Sequence, residues 1–186
     1  MAAPELSRVL GVCLLLATAA QAAELPPPAY QLAAHAAQVP SAVLYAIALQ
    51  ESGVLLRGRL RPWPWSLNVA GESLRFTNQH AACTALLIAM REVGAKRVDA
   101  GLGQVNLGWN GHRFATPCEA LDPHRNLLVT AQILREQRER SSDWVAAAGR
   151  YHRPAGGAPA ARYRASFRRH LAMVRGVDRD LLAKAP

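Results

Sequence analysis

The chain is poor in several things at once. It has 3 cysteines, 6% aromatic residues and only 13 acids against 22 lysines and arginines. None of its six histidines stands four residues from another, and no two cysteines are tightly spaced, so a zinc site has no ligand pattern to start from. No Gly-rich phosphate loop follows a strand, and no Gly-x-Ser-x-Gly is present. These absences leave no expected metal or cofactor. The longest apolar stretch, "VLGVCLLLATAA" at 9–20, is 12 residues long, short of the ~20 a spanning helix needs.

What is there suits an exported globular protein. Arg8, that apolar stretch and the small residues "AQA" at 20–22 form a secretory signal over 1–22. The expected location is the periplasm, with no stable membrane span once the signal is cleaved. Cleavage removes Glu5 and Arg8 together, so the +9 net charge survives. It also removes Cys13 and leaves Cys83 and Cys118. In an oxidising compartment two cysteines most simply form one disulfide, the alternative being two free thiols. A Cys–His nucleophile would need the free thiol. Hydrophobic residues at 51% suffice for a core in a chain of 186 residues, which sets the expectation of one domain. Two readings of the charge stay open: an anionic partner, or a solvated helix face in the arginine-rich stretch 162–175.

Along the chain, "ELPPP" opens a Pro-rich linker over 23–29. The spacing predicts a helix over 30–39 and a second over 41–52 that starts after Pro40. Residues 54–64 read as a loop. "WSLNVAGESLRF" alternates across a small turn and predicts a hairpin over 65–76. Thr77 is the expected cap of a helix over 78–93, which Gly94 ends. A glycine-rich segment occupies 99–111. "TPCE" at 116–119 is a capping box, and "DP" at 122–123 opens a helix to about 140 with Leu127, Ala131 and Leu134 on a buried stripe. Ser142 or Asp143 caps a helix through Trp144 to Tyr151. A loop and a basic amphipathic helix over 160–175 follow.

The chemistry points to "YAIALQESG" at 45–53. Val43, Ile47 and Glu51 fall on one face of the second helix, and Glu51 is its only acid. A carboxyl on an apolar stripe is partly desolvated, which raises its pKa and fits it to donate a proton. In "VDAGLGQVNLGWN" at 98–110, the glycines permit close backbone approach, Gln104 and Asn106 offer paired donors and acceptors, and Trp109 offers a flat face. That mixture suits a sugar. In "AAAGRYHRP" at 146–154, Tyr151 is placed to aim its phenol at Glu51.

Taken in order, these segments resemble the soluble type of lytic transglycosylases. "ALQESG" is similar to their Glu-Ser motif, "GLGQVN" to their Gly-Leu-Met-Gln motif, and "AAAGRYH" to their Ala-x-x-x-Tyr-Asn motif. "LDPHRNLLVTAQIL" is similar to the Asp-Pro…Asn helix between the last two, and "WPWSLNVAG" to the subgroup that serves conjugation, pilus and secretion machines. The resemblance covers about 30–155 and implies a mostly α, lysozyme-like (α+β) single domain with a short β-hairpin on the groove rim, followed by a basic C-terminal helix and tail over 156–186. It implies cleavage of peptidoglycan glycan strands, with Glu51 as the catalytic acid and then base. Ser52, Gln104, Asn106, Tyr151 and His152 would bind or position substrate, and no cofactor or nucleic acid is involved. Components of a secretion, conjugation or pilus apparatus are the implied partners. Two departures stand out. Gly103 occupies the Met position, so an apolar wall of the groove is lost or supplied elsewhere, and His152 occupies the Asn position. Trp63 and Trp65 either add a sugar platform or pack under the hairpin. Two other readings remain: a hydrolytic lysozyme using Glu51 with Asp99, and a peptidoglycan-binding assembly factor without activity.

Overall fold

A computed structural model describes residues 25–176. The expected signal over 1–22, the start of the expected linker and the tail after 176 lie outside the described residues. The described chain is mostly helical with a small antiparallel sheet. Helix α1 (Pro28–Ala36) starts on the prolines themselves, two residues earlier than the sequence suggests. Gln38, with φ of 55°, turns the chain into α2 (Ser41–Ser52). Every residue of α2 from Val43 to Leu49 is buried. The helix is thus surrounded on all sides, and the expected single apolar stripe understates it.

Residues 53–62, expected as a loop, are a hairpin: β1 (Gly53–Leu56) and β2 (Arg59–Pro62) pair antiparallel, with Leu55 opposite Leu60. Its turn residues Arg57 and Gly58 both have positive φ, as a two-residue primed turn requires. The expected second hairpin is present as β3 (Ser66–Val69) and β4 (Glu72–Arg75), turning on Ala70 and Gly71 with the same positive φ pair. It belongs to a larger sheet, in the order β4-β3-β5-β6, with β5 (Val98–Ala100) and β6 (Val105–Asn106). The glycine-rich segment is therefore partly strand, and Gly101–Gln104 is the connection between its two strands.

Helix α3 (Gln79–Val93) is capped by Asn78, whose side chain accepts from Ala81 N, rather than by Thr77. After the short α4 (Leu107–Asn110), a 3-10 turn runs from Pro117 to Leu121. Thr116 makes no cap bond there, and Glu119 accepts from Ala115 N rather than from Thr116 N, so the expected capping box does not form. Cys118 on this turn is disulfide-bonded to Cys83 on α3, closing a separation of 35 residues. On the chain-entropy account that crosslink contributes about 3–4 kcal/mol. Asp122 caps α5 (Pro123–Glu139) and Asp143 caps α6 (Trp144–His152). The last described helix, α7 (Gly157–Arg175), ends on Gly176 in the left-handed region.

Two apolar cores result. One joins α1, α2, α6 and α7 through residues such as Ile47, Ala148, Phe167 and Leu171. The other lies between the sheet, α3 and the 3-10 turn, around Leu67, Leu86, Val98 and Leu121. Helix α5 serves both: Leu127, Ala131 and Leu134 enter the first, Val129 and Ile133 the second. The expected boundary after residue 155 does not hold, because Tyr163, Phe167, Leu171 and Val174 of α7 are buried in the same core as α2.

Candidate active site

A cleft of about 320 Å³ opens where the two cores meet. Glu51, on the last turn of α2, lies in its wall together with Asp99 of β5, Gln104 of the connection, and Tyr151 and His152 of α6. The sheet adds Asn68 and Ser73, which the sequence reading passed over because they are ordinary polar residues of a hairpin.

Glu51 is half-buried, and burial pushes its carboxyl up to about 7. The charge of Asp99 acts in the same direction, and the hydrogen bond it accepts acts against it. Its place at the carbonyl end of a helix also disfavours a negative charge. The donor of that bond is Tyr163 Oη, 2.5 Å from Glu51 Oε1, reached from α7 across 112 residues of sequence. This corrects the expected role of Tyr151, whose hydroxyl donates instead to the Gly103 carbonyl at 2.6 Å. Tyr163 was missed, although Tyr163, Phe167, Leu171 and Val174 keep the spacing of a buried stripe and could have marked that face of the helix.

His152 stacks on the Tyr163 ring, with centroids 4.5 Å apart and planes within 8°. Partial burial and the neighbouring Arg153 lower its pKa, against the pull of Asp99, which favours the neutral ring. It covers the tyrosine that holds the acid. Ser52 is buried, and its hydroxyl lies 2.8 Å from the Leu102 carbonyl and 3.0 Å from that of Ala48. It ties α2 to the glycine connection and is out of reach of a substrate, so its expected place among the binding residues is corrected to a positioning one.

The connection itself is seated on α5. Asn126 accepts from Gly103 N at 2.8 Å and donates to the carbonyls of Ala100 and Ala120. A Cβ at Gly101 would lie 2.3 Å from Asn126 Nδ2, and one at Gly103 would lie 2.0 Å from Thr130 Oγ1. Asn126 and Thr130 are one helical turn apart, so both glycines are required by the closeness of α5. No side chain fits at 103, and the apolar wall of the cleft comes from Val105 and Ile133.

Gln104 takes a left-handed φ of 46° and donates both amide protons, to Gly101 O at 2.8 Å and Ser66 O at 3.1 Å. Its carbonyl oxygen remains to accept from a ligand. Asn106 has no such capacity to spare. It donates to Asp99 Oδ1 and Lys96 O, and accepts from Gly108 N and Trp109 N as the cap of α4. Although it borders the cleft, it acts as a brace for Asp99 rather than the expected donor to substrate. Burial raises the pKa of Asp99, while the Asn106 bond and His152 lower it.

Trp63 and Trp65 meet edge to face at 6.0 Å, and Trp63 Nε1 donates to Phe76 O. Both are half-buried at the foot of the β3–β4 hairpin, and neither lines the cleft. Trp109 is 66% exposed, with Lys96 Nζ 4.5 Å from its ring centroid. Among the described residues no group of three histidine, cysteine, aspartate or glutamate side chains could hold a metal ion. No protein-family model matches the chain, and neither does any curated protein or solved structure.

Proposed function

We propose that the protein is a peptidoglycan lytic transglycosylase with a lysozyme-like fold, acting in the periplasm. The observation that carries this reading is the half-buried Glu51 carboxyl, with a pKa of about 7, held by Tyr163 in a cleft whose lining is mostly uncharged apart from Asp99. A carboxyl with that pKa is largely protonated below neutrality and can still ionise during a catalytic cycle.

The substrate is the β-1,4 bond between N-acetylmuramic acid and N-acetylglucosamine. Glu51 gives its proton to the glycosidic oxygen as the bond to C1 breaks. The sugar's own acetamide steadies the oxocarbenium-like centre. The carboxylate left on Glu51 then takes the proton of the muramic 6-hydroxyl, whose oxygen bonds to C1. The acid is restored, no water is consumed, and the product carries a 1,6-anhydro end. Gln104, with only its carbonyl oxygen free, accepts from an acetamido N–H, while Asn68 and Ser73 serve sugar hydroxyls. The similarity of "WPWSLNVAG" to the conjugation, pilus and secretion subgroup supports local wall opening around such a machine as the task.

Digestion of purified cell wall followed by mass analysis tests the reaction. Anhydro ends, lighter by one water than reducing ends, are expected. Glu51→Gln should lower the rate by ~100-fold or more, the usual scale for a general acid. Loss of less than tenfold would sink the assignment of the acid, whereas an unaltered protein that binds the wall and cleaves no glycan would favour the assembly factor.

The second reading, hydrolysis, draws on Asp99, which lines the same cleft. Two carboxyls around one glycosidic bond are what an inverting hydrolase needs. Asp99→Asn separates the two. Retention of at least a tenth of the activity with anhydro products fits the transglycosylase. Reducing ends from the unaltered protein, abolished by Asp99→Asn, would establish the lysozyme instead.

A further inference from the structure

The β1–β2 hairpin has no part in the cleft. Among the described residues its two strands form a sheet of their own. All five residues from Leu55 to Arg59 are exposed. Leu55 is 73% and Leu56 43% exposed, beside Arg57 and Arg59. Neither arginine makes an ion pair with a described residue. The sequence from Ser52 to Gly71 holds no acid at all, so no neighbour along the chain offsets their charge. Arg57 also occupies the first position of the turn at φ 48°, a place where glycine or asparagine costs less. The apex thus combines two large apolar side chains with two cations that no described residue pairs.

We propose that this apex is a docking point for a lipid bilayer bearing anionic headgroups. Leucines on an exposed tip call for an apolar medium that can close around them, and acyl chains do so. Arginines beside them find phosphate and anionic headgroups at the depth of the interface. Charge complementarity alone would also suit a glycan wall or a nucleic acid. Those partners have no use for the leucines, and the apex has no aromatic ring on which to stack a base. Four-residue strands place the tip about 13 Å from Gly53, the residue two after Glu51. Docking would therefore hold the cleft at a short and nearly fixed height above the lipid.

The test is co-sedimentation of the signal-free chain with vesicles of phosphatidylcholine, with and without an equal share of phosphatidylglycerol. Binding is expected to the mixed vesicles and to be at least about tenfold weaker to phosphatidylcholine alone. Leu55→Ser with Leu56→Ser should weaken binding to mixed vesicles by about tenfold or more. Its cleavage of solubilised glycan, or its thermal unfolding if the chain does not cleave glycan, should stay as in the unaltered protein. Arg57→Ala with Arg59→Ala should weaken binding too and reduce its salt dependence. Equal binding to both vesicle types, binding to neither, or leucine variants that bind as well as the unaltered chain would each overturn the proposal. The last result would move lipid binding to the arginines of α7.

Discussion

The two sides of the cleft are built by different means. On the α2–α7 side the decisive group is placed by burial. Glu51 sits at the edge of a core of aliphatic and tyrosine side chains and receives one hydrogen bond, from a residue itself buried. On the sheet side the amide side chains are largely committed to protein partners: Asn126 to three backbone groups, Asn106 to three backbone groups and the Asp99 carboxyl, Gln104 to two backbone carbonyls. The first side tunes a proton, and the second fixes a shape. A carboxyl in a dry place is cheap to perturb chemically and dear to keep charged, whereas a saturated amide network is rigid and chemically silent.

The comparison can be broken most heavily at Asn126. Asn126→Ala leaves Gly103 N and the carbonyls of Ala100 and Ala120 without their buried partner. A loss of about 3–5 kcal/mol in denaturant unfolding is expected. A loss under about 1 kcal/mol would mean that the sheet side does not depend on its network.

On the other side the sign reverses. Folded Glu51 keeps its proton up to about pH 7, while an ordinary glutamate loses it near 4.5. Stability therefore falls as pH rises through that window and is flat above it. Glu51→Gln removes this loss, so the variant should be more stable than the unaltered protein at pH 8, by up to about 3 kcal/mol, with the gain shrinking towards pH 4. Equal stability of the two proteins at both pH values would show that the acid is not desolvated.

The smallest effect sharpens the contrast. The Tyr163 bond holds the Glu51 pKa down, so Tyr163→Phe should move the alkaline limb of the pH–rate profile upward while lowering kcat by about tenfold. An unchanged limb would reduce Tyr163 to a packing residue.

Much of the frame was legible in the sequence for reasons that are local. Asp122 and Asp143 announce their helices because a short acceptor before an amphipathic run satisfies free N–H groups. The 65–76 hairpin shows because its strands alternate around Ala70-Gly71. The first hairpin turns on Arg57-Gly58 in the same way, but an arginine with positive φ carries no turn signal, and the segment reads as a loop. Asn78 took the cap from Thr77, a one-residue ambiguity between two competent acceptors. At the site, Glu51 was legible from its isolation on an apolar helix. Its partner was not: Tyr151 and Tyr163 are both tyrosines near the right end of the chain, and only the packing of α7 against α2 decides between them. The exhaustion of Asn106 by its own neighbours is likewise a matter of distances, invisible to residue type.

The 112 residues between Glu51 and Tyr163 have a consequence for how the protein is made. At the ribosome's pace of about 5–20 residues per second, the glutamate is synthesised on the order of 10 s before the phenol that orients it. A nascent or prematurely stopped chain carries the acid but not its partner. The bond that holds the Glu51 carboxyl can therefore close only once α7, the last of the described helices, has been made.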